Sequence, residues 1–474
     1  MTSWKSQQGS GSDRRSFLGR TAALAAAGVV APAVFRSELH AQDAALAPYL
    51  EAKVNWRQAE GERLNIAIIP ANFFDSIVAL TPQFEALTGV RVSYEKIPPG
   101  QIRNKVVLDL NTKAGTYSTH AADPMYYPLY VANRWVEPLE PYLQDAKLTD
   151  AAWFNNNDVV PSLRAANSID GKLYGMPFQG DATIQVYRTD LYDARGLKPA
   201  TSFEQYAANA AAVHDPANRL WGAALRGFPG PGQNMFIYPS VFRAFGGSWF
   251  DGGGKIKVNG PEAEAALEWY ASIDQKYAPK GVENWNWPDI ADAFAQGTLA
   301  SFIDGFASAP VLADPQKSKI TGKIGFARWP AGPSGKRVTA LWNWGFPINS
   351  AIPQRAKQAT WLYIAWATSP ETQGRIAYGA PAIPGASLRT DVIRTSIWNR
   401  PEFVNAMGGV GRDFVEVARK SMADDIDVDW RPRVPQWPLI GETMAVAIQQ
   451  AVAGQAKPKA ALDEAQKRIE QAMK

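Results

Sequence analysis

The chain has 474 residues, no cysteine and a formal net charge of +4. One hydrophobic core stops growing near roughly 250 to 300 residues, so a chain of this length is expected to divide into two lobes. The absence of cysteine excludes a disulfide scaffold, thiolate zinc sites and cysteine nucleophiles. Lys5, Arg14, Arg15, Arg20 and Arg36 against Asp13 and Glu38 place three of the four net charges before residue 42. The remainder is too near neutral to suggest a nucleic-acid partner.

In chain order, Ser12-Asp13-Arg14-Arg15-Ser16-Phe17-Leu18-Gly19-Arg20 precedes an apolar, Ala-rich run that ends at Phe35. Paired arginines before a moderately hydrophobic segment have the pattern of a twin-arginine export signal. The run is shorter than the roughly 20 residues a membrane span needs. Residues 1–41 are therefore expected to be removed after Ala41, placing the protein in the periplasm, and 42–62 read as a spacer.

Leu64 to Ile69 is a short β-branched run, a buried strand ending at Pro70. Phe73 to Leu87 has helical apolar spacing and stops at Gly89, and Val90 to Glu95 alternates as a second strand. Strand, helix and strand within so short a stretch form the βαβ unit of an α/β lobe. A further helix is expected over Ile102 to Thr112, with Val106, Val107 and Leu110 inward.

Asp170-Gly171 signals a hairpin. Strands follow at Ala182 to Arg188, Thr298 to Asp304 and Gly345 to Asn349. Helices are expected at Leu191 to Leu197, from Thr201 or Ser202 to Val213, and at Pro261 to Tyr277, Pro288 to Gln296 and Gln354 to Ala367. Two more, separated by Gly454, close the chain from Pro438.

The only histidines are His40, His120 and His214, and there is no H-E-x-x-H, G-x-S-x-G or Walker-type loop, so no cofactor is implied. The 17 tryptophans, 16 tyrosines and 20 phenylalanines include several beside Gly, Pro or Asn, where rings can line a cleft rather than fill a core. Trp344 beside Gly345 and Trp249 in a glycine-rich turn have that setting, while Trp342, Trp285 and Trp287 add further rings. The acids Asp424, Asp425, Asp427 and Asp429 form a local cluster that reads as a solvated loop or a cation site.

Several segments, in this order, resemble the extracellular solute-binding proteins of carbohydrate ABC transporters, the group that includes maltose-binding protein. They are Phe84-Glu85-Ala86-Leu87-Thr88-Gly89-Val90-Arg91-Val92, Gly171-Lys172-Leu173-Tyr174-Gly175-Met176-Pro177 with Asp181 after it, and Phe294 to Ala300. Trp344 to Ser350, Arg431 to Trp437 and Ala460 to Ala465 continue the match. The resemblance implies an α/β type II periplasmic-binding-protein fold, two lobes joined by hinge crossovers with a ligand cleft between them. It divides the chain into lobe 1 (63–181 and 343–385) and lobe 2 (182–342 and 386–474), with crossings near Gln179 to Asp181, Leu341 to Trp344 and Pro384 to Leu388.

A monomer that captures a carbohydrate or polyol and delivers it to a membrane permease is what the resemblance implies for function. It places a ligand-binding acid at Asp181, and Asp304 and Tyr126 at the cleft mouth. Sugars and polyols need carboxylates or amides for their hydroxyls and rings for their C–H faces. Trp344 and Trp249 are the candidate stacking rings, and Arg389 is placed to donate to hydroxyls, to Asp181 or between lobes. Phe74 begins a helix whose N-terminus would face the cleft, or serves as a staple. Two other readings stay open: a binder of a polyamine or organic anion, favoured by Arg389 and Arg433 in the anionic case, and a secreted glycoside hydrolase, for which no acids pair convincingly.

Overall fold

The computed structural model describes residues 45–378 and 389–473, and one compact unit begins at Tyr49. The segment read as a spacer is packed from that residue on. Tyr49 and Ala59 are fully buried, the Trp56 indole N–H donates to the Tyr49 carbonyl at 2.9 Å, and the Tyr49 hydroxyl bonds Thr372 at 2.9 Å. A few large rings anchor a stretch too short to show a period.

β1 (Arg63–Ile68) leads into α1 (Asn72–Thr88), which stops where Gly89 takes a left-handed φ of 70° and its N–H returns to the Glu85 carbonyl. That conformation costs glycine nothing. β2 (Arg91–Lys96) then pairs parallel with β1, from Arg63 opposite Arg91 to Ile68 opposite Lys96. α2 (Pro99–Thr112) leads to β3 (Thr119–His120), parallel to β1 on its other side. The hairpin of β4 (Ser168–Ile169) and β5 (Lys172–Leu173) turns through Asp170 and Gly171, both at positive φ.

β6 (Met176–Arg188) is longer than expected, and all 13 of its residues are buried. After it come α3 (Phe203–Val213), capped by the Ser202 side chain, α4 (Asn234–Ala244), α5 (Pro261–Tyr277) and α6 (Trp287–Ala295). β7 (Ser301–Gly305) and β8 (Ile324–Ala327) flank the second half of β6, both antiparallel to it. β9 (Leu341–Phe346) pairs with the first half, Met176 opposite Phe346 through Ala182 opposite Leu341, with a bulge at Pro177 and Gln179. Pro177 and Gly180 argue against a strand locally, and the bulge lets the ladder absorb the proline. An isolated antiparallel Ala122–Gly345 bridge joins β9 to the segment just after β3.

The chain is thus two α/β lobes, with β6 and β9 running from one into the other. α7 (Gln354–Thr368) packs on the first sheet, and α8 (Trp437–Val452) with α9 (Pro458–Ala472) packs on α4 and α5. The expected third crossing, Pro384 to Leu388, and the signal segment lie outside the described residues.

Candidate functional site

β6 changes partners at its midpoint: Asp181 and Ala182 still face β9, while Thr183 already faces Gly305 of β7. Residues directly opposite in a ladder share a face. Gln179 faces Trp344 and Asp181 faces Trp342, so an amide, a carboxyl and two indoles stand on one side of the crossover. The two indoles meet edge to face, 5.4 Å apart at 77°.

Arg103 of α2 covers this pair. Its guanidinium carbon lies 5.6 Å from the Trp342 ring, 5.5 Å from Trp344 and 5.9 Å from Tyr126, within cation–π range. Asp123 fixes it, accepting from Arg103 Nε at 3.2 Å and Nη2 at 3.0 Å, while its other oxygen takes the Met125 N–H at 3.0 Å. Arg431 approaches Trp342 at 5.5 Å, Trp430 at 4.1 Å and Trp437 at 5.1 Å. It donates to the Pro231 carbonyl at 2.7 Å and stands 3.7 Å from Asp123. Burial lowers Arg431 to about 9, and the same cause pushes the Tyr126 phenol up to about 12.

Phe236 of α4 completes the wall, edge-on to Trp342 at 5.4 Å. Behind it Arg226 lies 4.7 Å from the Phe236 ring and holds Asp304 through two hydrogen bonds, Nε to Oδ2 at 2.7 Å and Nη2 to Oδ1. The loop before α4 supplies Gly232, whose carbonyl takes Arg226 Nη1 at 3.2 Å. A Cβ on Gly232 would meet Arg103 Nη2 at 2.8 Å and Trp342 Cη2 at 2.9 Å.

Asp181 differs from the other buried acids of the site. The Ala307 N–H donates to its Oδ1 at 3.1 Å, and among the described residues no side chain pairs with it. Its carboxyl is held well above the usual carboxylate range, first by burial and then by Asp391 and Asp304 nearby.

Asp181, Trp344, Tyr126 and Asp304 thus come together. Of the other three expected residues, Phe74 and Trp249 pack elsewhere, and Arg389 sits beside Asp391, the charged neighbour of Asp181. Phe74 has no exposed surface and stacks on Phe178 at 5.3 Å and 5°, a core contact of lobe 1. Trp249, expected as an exposed ring, is 3% exposed, and its indole N–H bonds the Trp430 carbonyl at 2.8 Å. Arg389 is tied locally, Nε to Asp391 Oδ1 at 2.8 Å, with its guanidinium 5.1 Å from the Phe178 ring. In the acidic cluster, Asp425 pairs with Arg328 and Asp427 with Arg243, so arginines take up those carboxylates.

Sequence reading missed Arg103, Asp123, Arg226, Phe236 and Arg431. One signal was available: Arg103 lies one helical turn before buried Val106, on the inward face.

The family model for bacterial extracellular solute-binding proteins matches residues 70–374. The chain belongs to this family. This solute-binding protein is 28% identical over 311 residues to the mannitol-binding protein of Pseudomonas aeruginosa, covering 65% of this chain and 69% of that one. It resembles the crystal structure of an ABC transporter solute-binding protein from Agrobacterium radiobacter in complex with ribitol (TM-score 0.77, 27% identity, 87% of this chain and 99% of that one). A solute-binding protein from Agrobacterium vitis with bound D-mannitol is similar as well (TM-score 0.74, 27% identity, 87% and 98%). The two-lobed fold expected from the sequence is the fold of these proteins.

Proposed function

We propose that this solute-binding protein captures a small neutral polyol, or a carbohydrate of similar size, between its lobes and delivers it to a membrane permease of an ABC importer. The observation that carries the reading is the charge pairing around the indole wall. Arg103, Arg226 and Arg389 are each matched by their own aspartate, and Arg431 is turned toward the Pro231 carbonyl and Asp123. Among the described residues these counter-charges disfavour an organic anion at the wall, while Asp181 keeps acceptor capacity for hydroxyls beside rings that suit C–H faces. The relatives with mannitol and ribitol support the same ligand class.

The lobes in this reading are 63–181 with 343–385 and 182–342 with 386–474, supported by the change of partners along β6 at Asp181 to Thr183. The protein works as a monomeric carrier without catalysis, exported to the periplasm through the Arg14-Arg15 signal. Thermal shift against D-mannitol, ribitol, maltose, putrescine and citrate tests the ligand class. A ligand at a hundred times its dissociation constant stabilises by about 2.7 kcal/mol. A rise in Tm with the polyols alone is expected; a rise with putrescine or citrate and none with the polyols overturns the reading.

A further inference from the structure

Gly305 ends β7 opposite Thr183, two residues along β6 from Asp181, so positions 181, 183 and 305 belong to one face of the ladder. It also caps the 3₁₀ turn Phe306–Ser308. Its φ of −62° and ψ of 142° are open to any residue, so conformation does not require glycine there. Space does: a Cβ on Gly305 would lie 2.1 Å from Asp181 Oδ2 and 2.9 Å from its Cγ. The turn that Gly305 opens supplies the hydrogen-bond donor that Asp181 has among the described residues, the Ala307 N–H at 3.1 Å.

We propose that Gly305 is a positioning residue for ligand capture: its missing side chain forms the seat that holds the Asp181 carboxyl toward the ligand, and a larger residue turns that carboxyl away. The proposal rests on Asp181 as a ligand-binding acid. Asp181 is a short side chain on a fully buried strand. To clear a methyl at position 305 it has to change rotamer, which carries Oδ1 away from the Ala307 N–H. Gly305 touches no ligand in this scheme and acts through the aspartate alone.

The test uses four full-length proteins: the wild type, Gly305→Ala, Asp181→Ala and the double variant. Each is unfolded thermally without ligand and titrated calorimetrically with D-mannitol and with ribitol. Gly305→Ala is expected to lower Tm and to weaken polyol binding about tenfold or more, the size of one lost charged hydrogen bond. Asp181→Ala weakens binding to a similar degree. The double variant binds no worse than Asp181→Ala and regains most of the lost Tm, because the new methyl then faces a methyl. Such non-additivity marks residues that act as one unit.

Wild-type affinity in Gly305→Ala, or losses that simply add in the double variant, overturns the role of Gly305. Wild-type affinity in Asp181→Ala, or a wild type that binds neither polyol, instead overturns the reading of the site. In either of those cases the Tm values of the four proteins still decide whether Gly305 seats Asp181.

Discussion

Asp123 and Asp181 stand at two ends of one wall of rings, both buried, yet the protein treats them in opposite ways. Asp123 receives the Met125 N–H and two N–H groups of Arg103, with Arg431 at 3.7 Å. Asp181 receives a peptide N–H, that of Ala307, and no side-chain donor among the described residues, and has Asp391 and Asp304 as charged neighbours. At the first, the protein fills the lone pairs, and the carboxylate braces the arginines that cover the indoles. At the second, capacity is left over, and burial without a cation makes the charged form costly. Burial therefore does not tell these two acids apart; the source of their donors does.

The largest effect should come from breaking the ion pair behind the wall, whose aspartate is a neighbour of Asp181 but is held by its own arginine. Arg226 and Asp304 are a bidentate pair, with side chains 7% and 5% exposed. Removing one partner of such a pair leaves an uncompensated buried charge and costs about 3 to 5 kcal/mol. Arg226→Ala should lose that much in urea unfolding. A loss under about 1 kcal/mol would show that Asp304 is relieved by water and does not belong to the scaffold.

A smaller effect is expected at Gly232, where the wall meets the loop before α4. An added methyl there overlaps Arg103 Nη2 and Trp342 Cη2, and overpacking of this kind costs about 1 to 3 kcal/mol. Gly232→Ala should lower Tm and weaken D-mannitol binding together, since the same contact holds Arg103 over the rings. An unchanged Tm would mean that Arg103 moves aside freely and is not braced.

How much of this was legible in the sequence depends on whether local pattern or distant pairing decided the outcome. α5 lies where its apolar period and Pro261 placed it, and the Asp170-Gly171 hairpin forms with both residues at positive φ. β6 was read six residues too short at its N-terminal side, because its first half is a strand only by pairing with β9, distant in sequence. Asp181, Asp304, Tyr126 and Trp344, singled out by their Gly or Pro neighbours and by the family pattern, lie around one wall of rings in the structure. The arginines were not singled out, since an arginine on an amphipathic helix or in a loop reads as solvated until the rings above it are known. Trp249, read as an exposed ring from its glycine-rich turn, is buried, because such a setting says nothing of what packs over it, and Phe74, read at a helix start as facing the cleft or as a staple, stacks on Phe178.

The smallest effect, and the most direct contrast between the two acids, is in pH. A free aspartate titrates near 4, and Asp181 in the folded protein titrates well above its ordinary value because of burial and the nearby carboxylates. Between those two values the folded state holds a proton that the unfolded state has released. Stability therefore falls as pH rises through that window, by at most about 1.4 kcal/mol per pH unit for one group. Asp181→Asn cannot titrate, so without ligand its unfolding free energy should gain on the wild type steadily as pH rises from about 4. Asp274, buried and shifted in the same direction, is present in both proteins and cancels in the difference. A constant difference across that range would mean that Asp181 is ionised in the empty site and is supplied with donors as Asp123 is.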